Sequence, residues 1–163
     1  MSDFIVRPAT LDDATALGKL GALLVRAHHE FDPQRFMRPM AGIEKGYGRF
    51  LTSQIGQDDA VVMVAEREGE IGGYVYATLE GRSWRELRDE CGIIEDIVVR
   101  ERDRRSGVAT LLMNAAMEWI RSRGAPRVLL STATPNVAAQ ELFARLGFRR
   151  TMIEMTRELE RPT

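Results

Sequence analysis

Apolar positions along the chain follow helical spacing in some stretches and strand-like runs in others. Phe4, Ile5 and Val6 form a short extended run that Pro8 closes. Leu17, Leu20 and Leu24 then recur at helical spacing, which predicts an amphipathic helix to about residue 27. Thr10 suits its N-cap, with Asp12 and Asp13 in the electropositive first turn. From 28 to 49 the pattern loosens. Phe31, Phe36, Met37, Met40, Ile43 and Tyr47 are scattered among prolines and glycines, which predicts a loop and a short second helix ending near Leu51. The valine-rich run 60–66 is a strand, turned by Glu68-Gly69-Glu70 into a partner over 71–79. A charged loop over 81–90 carries Trp84. Residues 93–99 read as a buried strand with two acids, Glu95 and Asp96, inside it. Val108, Leu111, Leu112, Ala115 and Trp119 share one face of a helix that opens at Gly107 and is stopped by Gly124 and Pro126. A strand over 127–131, a helix over about 135–146 ended by Gly147, and a long last strand or bent pair over 148–159 complete the chain. This order predicts a mixed α/β sheet with helices on both faces, and parallel neighbours where the helix after Gly107 crosses over.

Composition narrows the classes. The 163 residues predict a single domain over 1–163, large enough to bury a core without staples. Hydrophobic residues at 44% and charged residues at 29% are globular values, which exclude a disordered chain. The net charge of −1 (23 Lys+Arg against 24 Asp+Glu) argues against a nucleic-acid partner, which calls for a basic excess. Lys19 and Lys45 are the lysines; every other cation in that count is arginine. A lone Cys91 makes neither an internal disulfide nor a thiolate metal site. His28-His29 with Glu30 and Asp32 places no third ligand by spacing, so no metal is expected. The start lacks a basic segment followed by an apolar one, and no apolar run approaches the ~20 residues of a membrane span. The expectation is a cytoplasmic protein with no membrane partner.

The most informative stretch follows Ile97-Val98-Val99. A buried strand ends, a polar loop follows, and a helix starts at a glycine. The first amides of such a helix lack intrahelical partners, and the dipole adds positive charge, so the turn suits a phosphate. Gly107 and Ala109 are small, and Arg100, Arg102, Arg104 and Arg105 bring cations. The loop carries neither the Walker nor the dinucleotide glycine pattern. An ordinary strand–helix turn with a solvated arginine cluster is the alternative reading of the same residues.

Arg104-Arg105-Ser106-Gly107-Val108-Ala109 resembles the Arg/Gln-x-x-Gly-x-Gly/Ala signature of the GNAT-type N-acetyltransferases. The segment with Asn136, Ala139, Phe143, Gly147 and Phe148 is similar to the family's Asn-x-x-Ala-x-x-x-Tyr-x-x-x-Gly-Phe, and the opening Arg7-Pro8-Ala9 with Asp13 resembles its start. The resemblance implies a mixed, mostly antiparallel twisted sheet of six to seven strands with about four helices, splayed between the fourth and fifth strands. It implies acetyl-CoA as cosubstrate, with the pyrophosphate on Arg104, Arg105, Ser106, Gly107, Val108, Ala109 and Thr110. The pantetheine arm would pair beside Ile97, Val98 and Val99, with Asn136 beside it or acting as a plain N-cap, and Phe143 packed against the arm or the core. Dimers through the last strands are common in the family, and 148–159 would suit a homodimer.

Acetyl transfer needs a neutral amine, and deprotonating a lysine-like amine at pH 7 costs about 4–5 kcal/mol. A base must take that proton. Glu95 and Asp96 are the candidates, because acids inside an apolar strand are costly without a purpose or a partner. Strand alternation predicts that only one of them faces the cleft. The pair is similar to the Glu-Asp pair of the spermidine/spermine and glucosamine-6-phosphate acetyltransferases, which favours Glu95; a structural ion pair with an arginine is the other reading. Phe143 stands where the family has a tyrosine acid, so water, Tyr74 or Tyr76 would have to protonate the thiolate, unless it leaves as the anion. Arg35, Arg38, Arg49, Arg82, Arg85 and Arg88 lie in regions that face the acceptor in this family and favour an acceptor with a carboxylate or phosphate, although acids such as Glu30 and Asp89 share those regions. Trp84 would line the acceptor mouth, sit exposed in its loop or make a dimer contact. The leading reading is acetyl transfer to a primary amine of a small molecule. A protein or peptide acetylase and a CoA-binding sensor with little catalysis are the alternatives.

Overall fold

The computed structural model describes residues 3–162. A five-stranded sheet runs in the order β1 (Ile5–Pro8), β2 (Ala60–Arg67), β3 (Glu70–Glu80), β4 (Cys91–Val99) and β5 (Val128–Leu130). The β1–β2, β2–β3 and β3–β4 pairs are antiparallel, while β4–β5 is parallel and spanned by helix α3 (Val108–Ser122). Helices α1 (Ala14–Phe31) and α2 (Ile43–Ser53) precede β2, and α4 (Val137–Arg145) follows β5.

Alternation along β3 separates the two cores. Val75 and Ala77 point to the side of Leu112, Met113, Ala116 and Phe143, so α3 and α4 cover one face. Tyr74 and Tyr76 point to the side of Leu17, Leu20 and Leu51, so α1 and α2 cover the other. Two glycines set how closely α1 and α2 cross. A Cβ at Gly18 would stand 2.2 Å from the carbonyl oxygen of Glu44, and one at Gly48 would stand 2.5 Å from that of Ala14. The contact is backbone on backbone, and it fixes where α2 lays Tyr47 over the sheet.

Two buried carboxylates pin the loops at one end of the sheet. Asp13 accepts two hydrogen bonds from the Arg7 guanidinium, at 2.8 and 3.0 Å, and one from the Thr10 amide at 2.8 Å. This holds the Asp13 carboxyl below its ordinary range, through the Arg7 hydrogen bond first. Asp103 accepts from Arg100 at 2.6 Å and from Arg67 at 3.2 Å, which anchors the loop after β4.

The strand expected over 148–159 is not formed, so the described sheet has five strands rather than six or seven. Gly147, in the left-handed region at φ +88°, turns the chain as α4 ends. Residues 149–162 then run as an exposed arm without regular structure. Met152, Ile153, Met155 and Leu159 on it are 79–88% exposed. A strand exists only where a neighbour supplies hydrogen bonds, and among the described residues no strand lies alongside this one. The first helix also differs in detail. Residues 11–13 form a 3₁₀ turn, and α1 continues past residue 27 to Phe31.

Candidate active site

Strand β4 is the centre of the site, and a register shift on it decides the chemistry. Tyr76 is opposite Asp96, but the next residue, Ala77, is opposite Ile94, so Glu95 is the extra residue of a β-bulge. Without the bulge, Ile94 and Asp96 would share a face. With it, Ile94 enters the α3 core while Asp96 joins Tyr74 and Tyr76 on the α1–α2 side. Glu95 is drawn the same way, because its Oε1 accepts a hydrogen bond from the Thr78 hydroxyl at 2.8 Å. Both acids therefore line one cleft, contrary to the expectation from strict alternation.

The cleft opens because β5 accompanies β4 only from Gly92 to Ile94. Beyond Ile94 the β5-side edge of β4 has no strand partner among the described residues. The resulting cleft of about 290 Å³ has two halves. Ile97 of β4, Leu130, Ser131 and Thr132 at the end of β5, and Asn136, Ala139 and Phe143 around the start of α4 form one. Leu24, Val25 and His28 of α1, Phe36 and Met37 of the following loop, and Tyr47 of α2 form the other. Glu95 and Asp96 lie between them on the strand.

The two acids differ in environment. The Asp96 Oδ2 accepts from the Tyr47 hydroxyl at 2.6 Å and from the Tyr74 hydroxyl at 2.9 Å. Burial pushes the Asp96 carboxyl above its ordinary value, against the pull of both tyrosines and of nearby His28. Burial likewise pushes the Tyr47 and Tyr74 hydroxyls far up, with Asp96 adding to it. Glu95 is exposed, and only Thr78 bonds to it. Among the described residues, neither acid pairs with an arginine.

Past the end of β4 the chain makes an anion cradle. Arg105 and Gly107 are both left-handed, at φ +59° and +86°, and α3 starts at Val108. The amides from Arg105 to Thr110 have no acceptor within the described protein, and the first such bond is Leu111 N–H to the Gly107 carbonyl at 3.0 Å. Nothing lies within 4 Å of where a Cβ on Gly107 would stand. The open space and the free amides fit a diphosphate. Ser106 is turned to the Asp103 carbonyl at 2.5 Å, and Arg104 donates to the Val99 carbonyl at 3.2 Å. Of the four loop arginines, Arg100 and Arg102 are held by Asp103 and Glu70 and are not loose phosphate ligands. Among the described residues, the Arg105 side chain has no partner.

Other expected residues are placed as follows. Asn136 caps α4, its Oδ1 accepting from the Ala139 amide at 3.3 Å, and still lines the cleft. Phe143 is 6% exposed and packs its ring 6.0 Å from that of Phe148. Tyr74 and Tyr76 are poor proton donors to a thiolate: Tyr74 is fully buried on Asp96, and Tyr76, pushed up to about 12 by burial, donates to Gln54 at 3.1 Å. No arginine lines the cleft. Of the six arginines expected to favour an anionic acceptor, Arg35, Arg82, Arg85 and Arg88 pair with Glu154, Asp89, Glu86 and Glu80. Trp84 is 85% exposed in its loop and away from the cleft. Cys91 is buried, and burial raises its thiol above the ordinary value, so it is a packing residue. His28 and His29 each turn to a backbone carbonyl, those of Leu24 and Phe36. Tyr47 and the site role of His28 were not legible as such: each sits in a weakly patterned stretch, and only the fold brings it to Asp96.

Residues 23–148 match the model of the acetyltransferase (GNAT) family. The chain is 26% identical over 145 residues to an uncharacterised N-acetyltransferase, YhfO, of Bacillus subtilis (strain 168), covering 88% of each. Its fold is similar to that of a mutant of the BH1408 protein of Bacillus halodurans, with TM-score 0.82 and 22% identity over 96% of this chain and 99% of that one. It is also similar to the aminoglycoside N-acetyltransferase AAC(6')-Iy solved in complex with CoA, with TM-score 0.72 and 18% identity over 98% of this chain and 96% of that one. The strand that splays after Ile94, the glycine-opened helix beyond it and these likenesses converge: the chain belongs to the GNAT acetyltransferase family and is an acyltransferase.

Proposed function

We propose that residues 1–163 form one acetyltransferase domain that moves an acetyl group from acetyl-CoA directly to a primary amine of a small molecule. The observation that carries this is the bulge at Glu95, which puts a solvent-reached carboxylate on the strand whose free edge leads to the unpaired amides of α3. The diphosphate of acetyl-CoA lies on the amides from Arg105 to Thr110, with the Arg105 side chain free to pair with it. The pantetheine extends along Ile97, Val98 and Val99, between Asn136 and Phe143 on one side and the acids on the other. The amine nitrogen bonds to the acetyl carbon and the carbon–sulfur bond breaks. Glu95 takes the amine proton, directly or through one water, because one of its oxygens is uncommitted. Asp96, fixed by Tyr47 and Tyr74, lies beside the incoming amine. Phe143 carries no proton, so the thiolate leaves as the anion or takes a proton from water.

The small-molecule reading is supported by the aminoglycoside acceptor named for a similar fold. The proposal includes a cytoplasmic location. It also includes a homodimer, supported by the exposed apolar arm. The test is release of CoA from acetyl-CoA in the presence of amines. Glu95→Gln is expected to lower kcat at least about 100-fold without loss of acetyl-CoA affinity. An unchanged kcat would remove Glu95 as the base.

A further inference from the structure

The acceptor half of the cleft has one kind of wall. Leu24, Val25, Phe36 and Met37 present only carbon and sulfur to it. The polar groups beside them are committed except at His28 Nε2. His28 Nδ1 lies 2.9 Å from the Leu24 carbonyl, so it carries the hydrogen and donates it, which leaves only Nε2 as an acceptor. The His28 ring meets the rings of Phe31 and Phe36 edge to face, with centroids 5.8 and 4.9 Å away. The Tyr47 hydroxyl is spent on Asp96.

Against such a wall, a sugar or aminoglycoside would lay several hydroxyls on carbon with His28 Nε2 alone to accept from them, and each unmade bond is costly. A phosphate or carboxylate would find no cation, since no arginine lines the cleft and Arg35 turns to Glu154. A polyamine would find carboxylates only at the strand and carbon beyond it. What remains satisfied is one amine at Glu95 and Asp96 with an apolar body behind it. The edge-to-face aromatic corner of His28 and Phe36 suits a ring. Met37, 57% exposed at the rim, can adapt to its outer end.

We propose that the acceptor is a primary monoamine on an apolar aromatic frame, of the arylalkylamine class. This rests on the acetyl-transfer reading. In the reaction the amine nitrogen gains the acetyl carbon and loses one proton to Glu95, and the sulfur leaves with the electron pair of the broken bond.

The experiment measures acetyl-CoA-dependent CoA release by the full chain with 2-phenylethylamine, spermidine, kanamycin, glucosamine 6-phosphate and a short peptide with a free amino terminus. The expected result is a kcat/KM for 2-phenylethylamine at least about tenfold above every other amine. Met37→Glu, at an exposed position that tolerates substitution, is expected to raise its KM about tenfold with acetyl-CoA affinity unchanged. Faster turnover of any other amine, or no effect of Met37→Glu, overturns the acceptor class and leaves acetyl transfer standing. If acetyl-CoA binds and no amine is acetylated, acetyl transfer falls instead. Calorimetry of 2-phenylethylamine with the CoA-saturated protein then decides the acceptor site: saturable heat supports it, and its absence overturns it.

Discussion

Asp13 shows how much one carboxylate does in this fold. Its folded pKa lies below the unfolded value, so the stabilisation is present above about pH 3.9 and is lost as pH falls through the lower folded value. Asp13→Asn is expected to cost about 1–2 kcal/mol at neutral pH, discounted because Arg7 is partly solvated, and to flatten the acid side of the Tm–pH curve. Thermal melts across pH 3–7 check both. At the site, Tyr47→Phe removes a donor that lowers the Asp96 pKa. The Asp96 carboxyl then rises further, and the acid-side fall of kcat/KM is expected to move to higher pH. An unmoved profile would show that Asp96 does not take part. Glu95 and Asp96 are legible in the sequence, because charges inside an apolar strand stand out. Their difference is not, because it depends on hydroxyls brought from 22 and 49 positions away.

At the scale of elements, the crossing of α1 and α2 sets the acceptor wall. Gly18→Ala or Gly48→Ala would drive a methyl group against backbone carbonyl oxygens and is expected to destabilise by about 1–3 kcal/mol. The same change would move Tyr47 relative to Asp96, so activity is expected to fall more than the loss of folded protein explains. Urea unfolding beside kinetics separates the two. Helical spacing and β-branched runs reveal most elements, because each buries one face and its period survives in the sequence. The bulge leaves no such trace. Its effect is to turn Glu95 out of alternation, and the residues around it read as an unbroken strand.

The whole molecule carries a feature that its own chain does not complete. The arm over 149–162 exposes Met152, Ile153, Met155 and Leu159 to water, and β5 offers an unpaired outer edge. Its charges, four arginines and three glutamates, are of both signs, so a second copy can approach without net repulsion. Light scattering is expected to give a dimer, and Ile153→Asp combined with Met155→Asp to give a folded monomer. A wild-type monomer at assay concentration would exclude the homodimer. The strand read from the apolar pattern over 148–159 is not formed. What covers it is not written locally, since a strand is defined by its neighbour.

Every step of the transfer depends on the donor site at the start of α3. Calorimetric titration of the protein with acetyl-CoA tests it most directly, beside Gly107→Trp, which places an indole over the free amides. Saturable binding by the wild type is expected, and the variant is expected to lose it while keeping its fold by circular dichroism. No binding by the wild type, or equal binding by both, would contradict it.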